Sequence, residues 1–108
     1  MTTYRPGEVV LIDFPFASGG AAKRRPALVL LDTGDADIVA ARITSQPARD
    51  AFDVELHDWK AAGLMLPSIA RVHKLATLEK ALVARSMGAL AASDWAQVQS
   101  AIRKLWRL

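Results

Sequence analysis

Short apolar runs broken by turn residues fill the first three quarters of this 108-residue chain, and only its end changes to helical spacing. That switch of period limits the fold to a small β structure completed by one helix. Val9-Val10-Leu11-Ile12 reads as a strand between Pro6-Gly7 and Pro15. Ala27 to Leu31 is a second strand, too continuously apolar for one face to be wet. Asp32-Thr33-Gly34-Asp35 is a turn into a third strand, Asp37 to Thr44. Phe52 to Leu56 alternates apolar and polar residues, as a half-buried fourth strand does. His57 to Gly63 has room for one helical turn closing at the glycine. Leu64 to Lys74 reads as a fifth strand with Pro67 at its bend or start, and Leu82 to Leu90 as a sixth with Gly88 as a bulge.

The final segment opens with Ser93 as N-cap and Asp94 at the positive helix end. Trp95, Val98, Ile102, Leu105 and Trp106 then recur at helical spacing. The expected fold is mainly β with α, a single domain over residues 1–108. It is a small bent sheet or partly open barrel of five to seven short strands, with a C-terminal helix packed on it. Trp95 and Trp106 are expected as core or dimer contacts.

An apolar share of 52% argues against disorder, and the lack of cysteine excludes disulfides and thiolate zinc sites. No signal-peptide pattern or membrane-length apolar stretch occurs, so the expected location is the cytoplasm, with no membrane partner. The net charge of +3 is unevenly spread: residues 1–58 carry net −3 and residues 59–108 net +6. A face of positive potential, attracting a polyanion or an acidic protein, is one consequence; ordinary solvated Lys80, Arg85, Arg103, Lys104 and Arg107 are the other.

The densest motif is Phe14 to Pro26, where a small-residue loop containing Gly19-Gly20 ends in Lys23-Arg24-Arg25. Pro26 biases Arg25 toward extended backbone, placing its guanidinium at a loop–strand junction where it suits a phosphate. Lys23 and Arg24 read as solvating a loop tip. Gly19-Gly20 lacks the trailing Gly-Lys-Ser/Thr of a P-loop. The two histidines, 16 residues apart, have no ligand spacing, so no metal site is expected, and no other motif calls for a cofactor. Asp13 reads as a turn-capping carboxylate, Asp53 and Glu55 as solvated neighbours on one strand face, and His57 as a structural turn residue.

Three segments together resemble the MazF/PemK family, toxins of type II toxin–antitoxin pairs. They are Arg5 to Phe14 leading through the loop to Arg25-Pro26-Ala27-Leu28-Val29-Leu30; Ala41-Arg42-Ile43-Thr44-Ser45-Gln46; and Leu66 to Leu78, before Gly88-Ala89-Leu90 and the helix. The resemblance implies an SH3-like barrel assembled as a homodimer. It implies a metal-independent endoribonuclease cutting single-stranded RNA at a short preferred sequence, and a cognate antitoxin whose disordered acidic tail covers the RNA groove.

Such cleavage uses the ribose 2′-hydroxyl as nucleophile and leaves a 2′,3′-cyclic phosphate and a 5′-hydroxyl. It needs a proton acceptor, charge stabilisation at phosphate and a proton donor. By the resemblance, Arg25 stabilises phosphate charge, Thr44 hydrogen-bonds the scissile phosphate, and Arg71 belongs to the catalytic set. His73 stands where some members carry an aspartate; an imidazole titrates near neutrality and serves as acid or base, or is merely a surface residue. Lys23, Arg24, Ser45 and Gln46 are the expected RNA contacts. Two alternatives stand beside this. CcdB-type toxins share the barrel but poison DNA gyrase through C-terminal residues, here 104–108. A catalytically weak homologue would only bind its antitoxin.

Overall fold

The computed structural model describes residues 2–14 and 23–108. Six antiparallel strands, β1 (Glu8–Phe14), β2 (Lys23–Leu31), β3 (Asp37–Thr44), β4 (Asp53–Leu56), β5 (Ser68–Glu79) and β6 (Val83–Ala89), precede one helix, α1 (Ala92–Trp106). They form one sheet in the order β4-β5-β3-β2-β1-β6. The fold class is the expected one, with six strands and a terminal helix, but the sheet is not closed: β4 and β6 are its two ends.

Several boundaries differ from the sequence reading. Strand β2 begins at Lys23, so Arg25 lies inside a strand, paired with Ile12, rather than at a loop–strand junction. Pro26 is tolerated there because the β2–β3 ladder starts only at Ala27, while β1 continues to pair along the other side. Residues 15–22, including Gly19-Gly20, lie outside the described residues. Strand β5 runs from Ser68 to Glu79, past the expected end at Lys74, and residues 64–67 form a bend before it. Helix α1 starts two residues early, with Ala91 as N-cap and no side-chain cap. Ser93 is therefore inside the first turn and exposed.

Strand alternation sorts the core into two layers. Val9, Leu28, Ala41, Ile43, Ala70 and Val72 face α1, where they meet Val98 and Ala101. Val10, Ile12, Ala27, Val29, Ile38 and Ala40 form the opposite face, covered at one end by Leu82 and Val83. Trp95 packs on the helix-side core as expected, whereas Trp106 is 52% exposed.

The turn between β4 and β5 is held from two sides. Asp94, 1% exposed, accepts hydrogen bonds from the backbone N–H of His57 (3.0 Å) and Asp58 (2.9 Å). On the other side Gly63 (φ +81°) abuts Met87, and Gly88 abuts Ala62. Met87 is the extra residue of a bulge in β6, whose register shifts between Val9↔Gly88 and Val10↔Ser86.

Candidate functional site

On the face opposite the helix, the apolar layer gives way to charge toward one end of the sheet. The register Val10↔Ala27, Ala27↔Arg42, Arg42↔Arg71 and Arg71↔Asp53 makes one row across five strands. The next row contains Ile12↔Arg25, Thr44↔Ile69 and Ile69↔Glu55. Continuing the β2–β3 register past Pro26 brings Arg25 opposite Thr44, so the two share a face. Arg71 and His73 alternate onto that face as well. His73 sits in a bulge where Val72, His73 and Lys74 have no partners on β3.

Arg25 is exposed, and among the described residues neither it nor Arg42 has an ion-pair partner. Thr44 Oγ1 accepts a hydrogen bond from the Gln46 N–H at 3.1 Å, leaving its own proton free to donate. Ser45 and Gln46 are exposed just beyond it. Lys23 shares the strand parity of Arg25. Arg24 has the other parity, on the face away from Arg25, where its Nε donates to Asp13 Oδ1 at 2.9 Å. Asp13 is thus a strand residue in an ion pair, not a turn cap.

Arg71 and His73 are engaged by carboxylates that the sequence did not single out for them. Arg71 Nε lies 3.3 Å from Asp53 Oδ1, as an ion-pair contact rather than an aligned hydrogen bond. Its Nη2 is 3.9 Å from Asp50 Oδ2, and His73 Nε2 is 3.2 Å from that same oxygen. His73 Nδ1 is buried without a hydrogen-bond partner. Asp53, 1% exposed in its side chain, is therefore no solvated carboxylate. Its Oδ2 accepts from the Arg49 N–H, and Asp50 Oδ1 accepts from the Phe52 N–H, so both brace the loop before β4.

Ligand atoms of Asp50, Asp53 and His73 lie within 4.8 Å of one another, a spacing a cation accepts. The Arg71 guanidinium already places a fixed positive charge among them, which opposes a second one.

The sequence missed Arg42 and Asp50. Arg42 was findable, since it precedes Thr44 by two on the same strand. Asp50 lies in an irregular loop, and no periodicity points to it.

A sequence profile of the PemK-like, MazF-like toxins of type II toxin–antitoxin systems matches residues 5–106. The chain belongs to that family. Among curated proteins no sequence relative matches. Solved structures share the toxin's fold. A Mycobacterium tuberculosis toxin, MazF-mt6, superposes with a TM-score of 0.76 at 23% identity, covering 96% of this chain and 98% of that one. An endoribonuclease from a mycobacterial species gives 0.78 at 17% identity, over 100% and 95%. MazF in a MazE–MazF complex from Deinococcus radiodurans gives 0.75 at 21%, over 98% and 97%. No helix among the toxin's described residues is long and apolar enough to cross a membrane.

Proposed function

We propose that this toxin is a metal-independent, sequence-selective endoribonuclease acting on single-stranded RNA. The observation that carries the reading is the placement of Arg25, Thr44 and Arg71 in adjacent rows of one sheet face. Family membership and the similarity to a mycobacterial endoribonuclease support it.

In this reading the scissile phosphate lies over the Arg25–Thr44 row. The guanidinium of Arg25 stabilises the charge that builds on the phosphate oxygens, and the Thr44 hydroxyl donates to one of them. The ribose 2′-oxygen bonds to phosphorus as the 5′-oxygen departs, giving a 2′,3′-cyclic phosphate and a 5′-hydroxyl. Once RNA phosphate on Arg71 has displaced Asp50 and freed His73 Nε2, His73 as general base takes the proton of the 2′-hydroxyl, and the departing 5′-oxygen takes a proton from water. Lys23, Ser45 and Gln46 line the same face as further RNA contacts; Arg24 contributes through the long-range field.

Solved complexes of relatives with a cognate antitoxin support a similar partner here, whose acidic disordered tail would compete for the same cations. A homodimer in the cytoplasm completes the proposal.

Incubating the purified toxin with a long single-stranded transcript in EDTA tests it. Cleavage with cyclic-phosphate ends is expected; cleavage only after metal is added rules the mechanism out. Arg25→Ala is expected to raise the barrier by about 2–4 kcal/mol, the effect of removing one charge-stabilising donor.

The exposed C-terminus, with Trp106 at 52% and Leu108 at 87% exposure, favours one second reading, gyrase poisoning. Deleting residues 104–108 separates the two: toxicity lost with RNA cleavage intact supports gyrase.

A further inference from the structure

The row Arg25–Thr44–Ile69–Glu55 does not stop at the proposed phosphate position. Beyond Thr44 it runs into a pocket of about 380 Å³, lined among others by Ser45, Gln46, Glu55, His57, Trp59 and Ile69. Glu55 is two strands from Thr44, about 10 Å at ordinary strand spacing. That distance suits the nucleoside attached to a phosphate held at Thr44.

Three properties of this pocket point to a nucleobase. Its walls mix apolar side chains, Trp59 and Ile69 among them, with a few polar groups at the rim, the composition of small-ligand clefts. The segment carrying its lining residues His57 and Trp59 is pre-organised, because buried Asp94 pins the backbone of His57 and Asp58 and Gly63 packs the following turn against β6. The Glu55 side chain forms no ion pair or hydrogen bond among the described residues, and its residue is exposed at the rim.

An ionised carboxylate only accepts hydrogen bonds. Cytosine and adenine offer an exocyclic amino group, and guanine offers N1–H and an amino group together. Uracil instead presents carbonyl oxygens on both sides of its single N–H, and these repel a carboxylate. We infer that this pocket is a nucleobase subsite beside the scissile phosphate, and that Glu55 selects an amino-bearing base over uracil. The inference rests on the ribonuclease reading of the groove and adds to it which chemistry the substrate must carry.

Binding of 2′-O-methyl oligonucleotides, whose blocked 2′-oxygen cannot attack, tests the pocket apart from cleavage. Fluorescence anisotropy with oligo-C, oligo-A and oligo-U of equal length is expected to show oligo-C or oligo-A binding about tenfold tighter than oligo-U. Glu55→Gln, an exposed isosteric change, should bring all three within about threefold, since an amide both donates and accepts. Arg25→Ala should weaken all three alike and keep the ratio. Equal affinities in the wild type, or a preference unchanged in Glu55→Gln, overturn the inference. A wild type that shows the preference yet never cuts unmodified RNA sustains the subsite and removes the nuclease. One that binds none of the three overturns both.

Discussion

Asp50 shows how one side chain decides what the cations around it present. Its Oδ2 lies 3.2 Å from His73 Nε2 and 3.9 Å from Arg71 Nη2, the place that the proposed mechanism gives to an RNA phosphate oxygen. The side chain is 41% exposed and sits on a loop, so solvent screens it and its contacts are weak enough to exchange. Asp50→Asn keeps the hydrogen bond from the Phe52 N–H while removing the competing charge. We expect this variant to bind uncleavable RNA roughly two- to fivefold more tightly, the scale of one exposed ion pair. Anisotropy titration measures it; weaker binding would mean that Asp50 positions the site instead of competing for it. That Arg71 and His73 share a face was legible from their spacing, because residues two apart on a strand point the same way, while their place in a site came from the family resemblance. Their carboxylate partners were not, because they come from a loop and from the edge strand β4.

At the scale of elements, the contact between the β4–β5 turn and β6 is a close backbone approach. A Cβ on Gly63 would run into the Met87 carbonyl, and its φ of +81° is unfavourable for other residues. Gly63→Ala should therefore destabilise the fold by about 2–4 kcal/mol, combining left-handed strain with overpacking. Chemical denaturation reads this as a lowered midpoint with unchanged slope. Because His57 and Trp59 of that turn line the pocket beside Glu55, loosening it should also blunt the base preference inferred there. The sequence marked Gly63 as the end of a helical turn. It did not reveal that Gly88, in β6, packs against the same turn beside Met87.

At the scale of the whole molecule, charge along the chain and charge in space part company. The net positive half, residues 59–108, contributes Arg103, Lys104 and Arg107 at the C-terminal end of α1, which packs against the face away from Arg25. The exposed cations on the Arg25 face, Lys23, Arg25 and Arg42, come from the net negative half. Lys80, one of the cations read as solvated surface, is only 8% exposed in its side chain and pairs at 2.8 Å with the fully buried side chain of Asp32.

Asp32 also accepts from the Tyr4 and Gly34 N–H groups, so one carboxylate ties the N-terminal segment, the β2–β3 turn and the start of the short 3-10 turn after β5. Lys80 first, then the Tyr4 N–H, hold its pKa down at about 2, against an ordinary 3.8. Between those values the folded chain holds fewer protons than the unfolded one, so stability rises with pH there. The contribution is complete above pH 4 and disappears as pH falls through about 2. The stability gap between wild type and Asp32→Asn should therefore narrow as urea melts are taken from pH 5 toward pH 2. A gap that stays constant would show that the carboxylate's ionisation contributes nothing.

Alternation and helical period are properties of neighbours along the chain, and they were enough to place six strands and one helix; Arg25 and Thr44 were brought together only by the family resemblance. Register, bulges and the pairing of distant carboxylates with cations depend on which strands become neighbours across the sheet. Those neighbours are chosen by burial of two apolar layers at once, a choice no local stretch of residues can make. The row from Arg25 to Glu55 therefore exists only once β2, β3, β5 and β4 lie side by side.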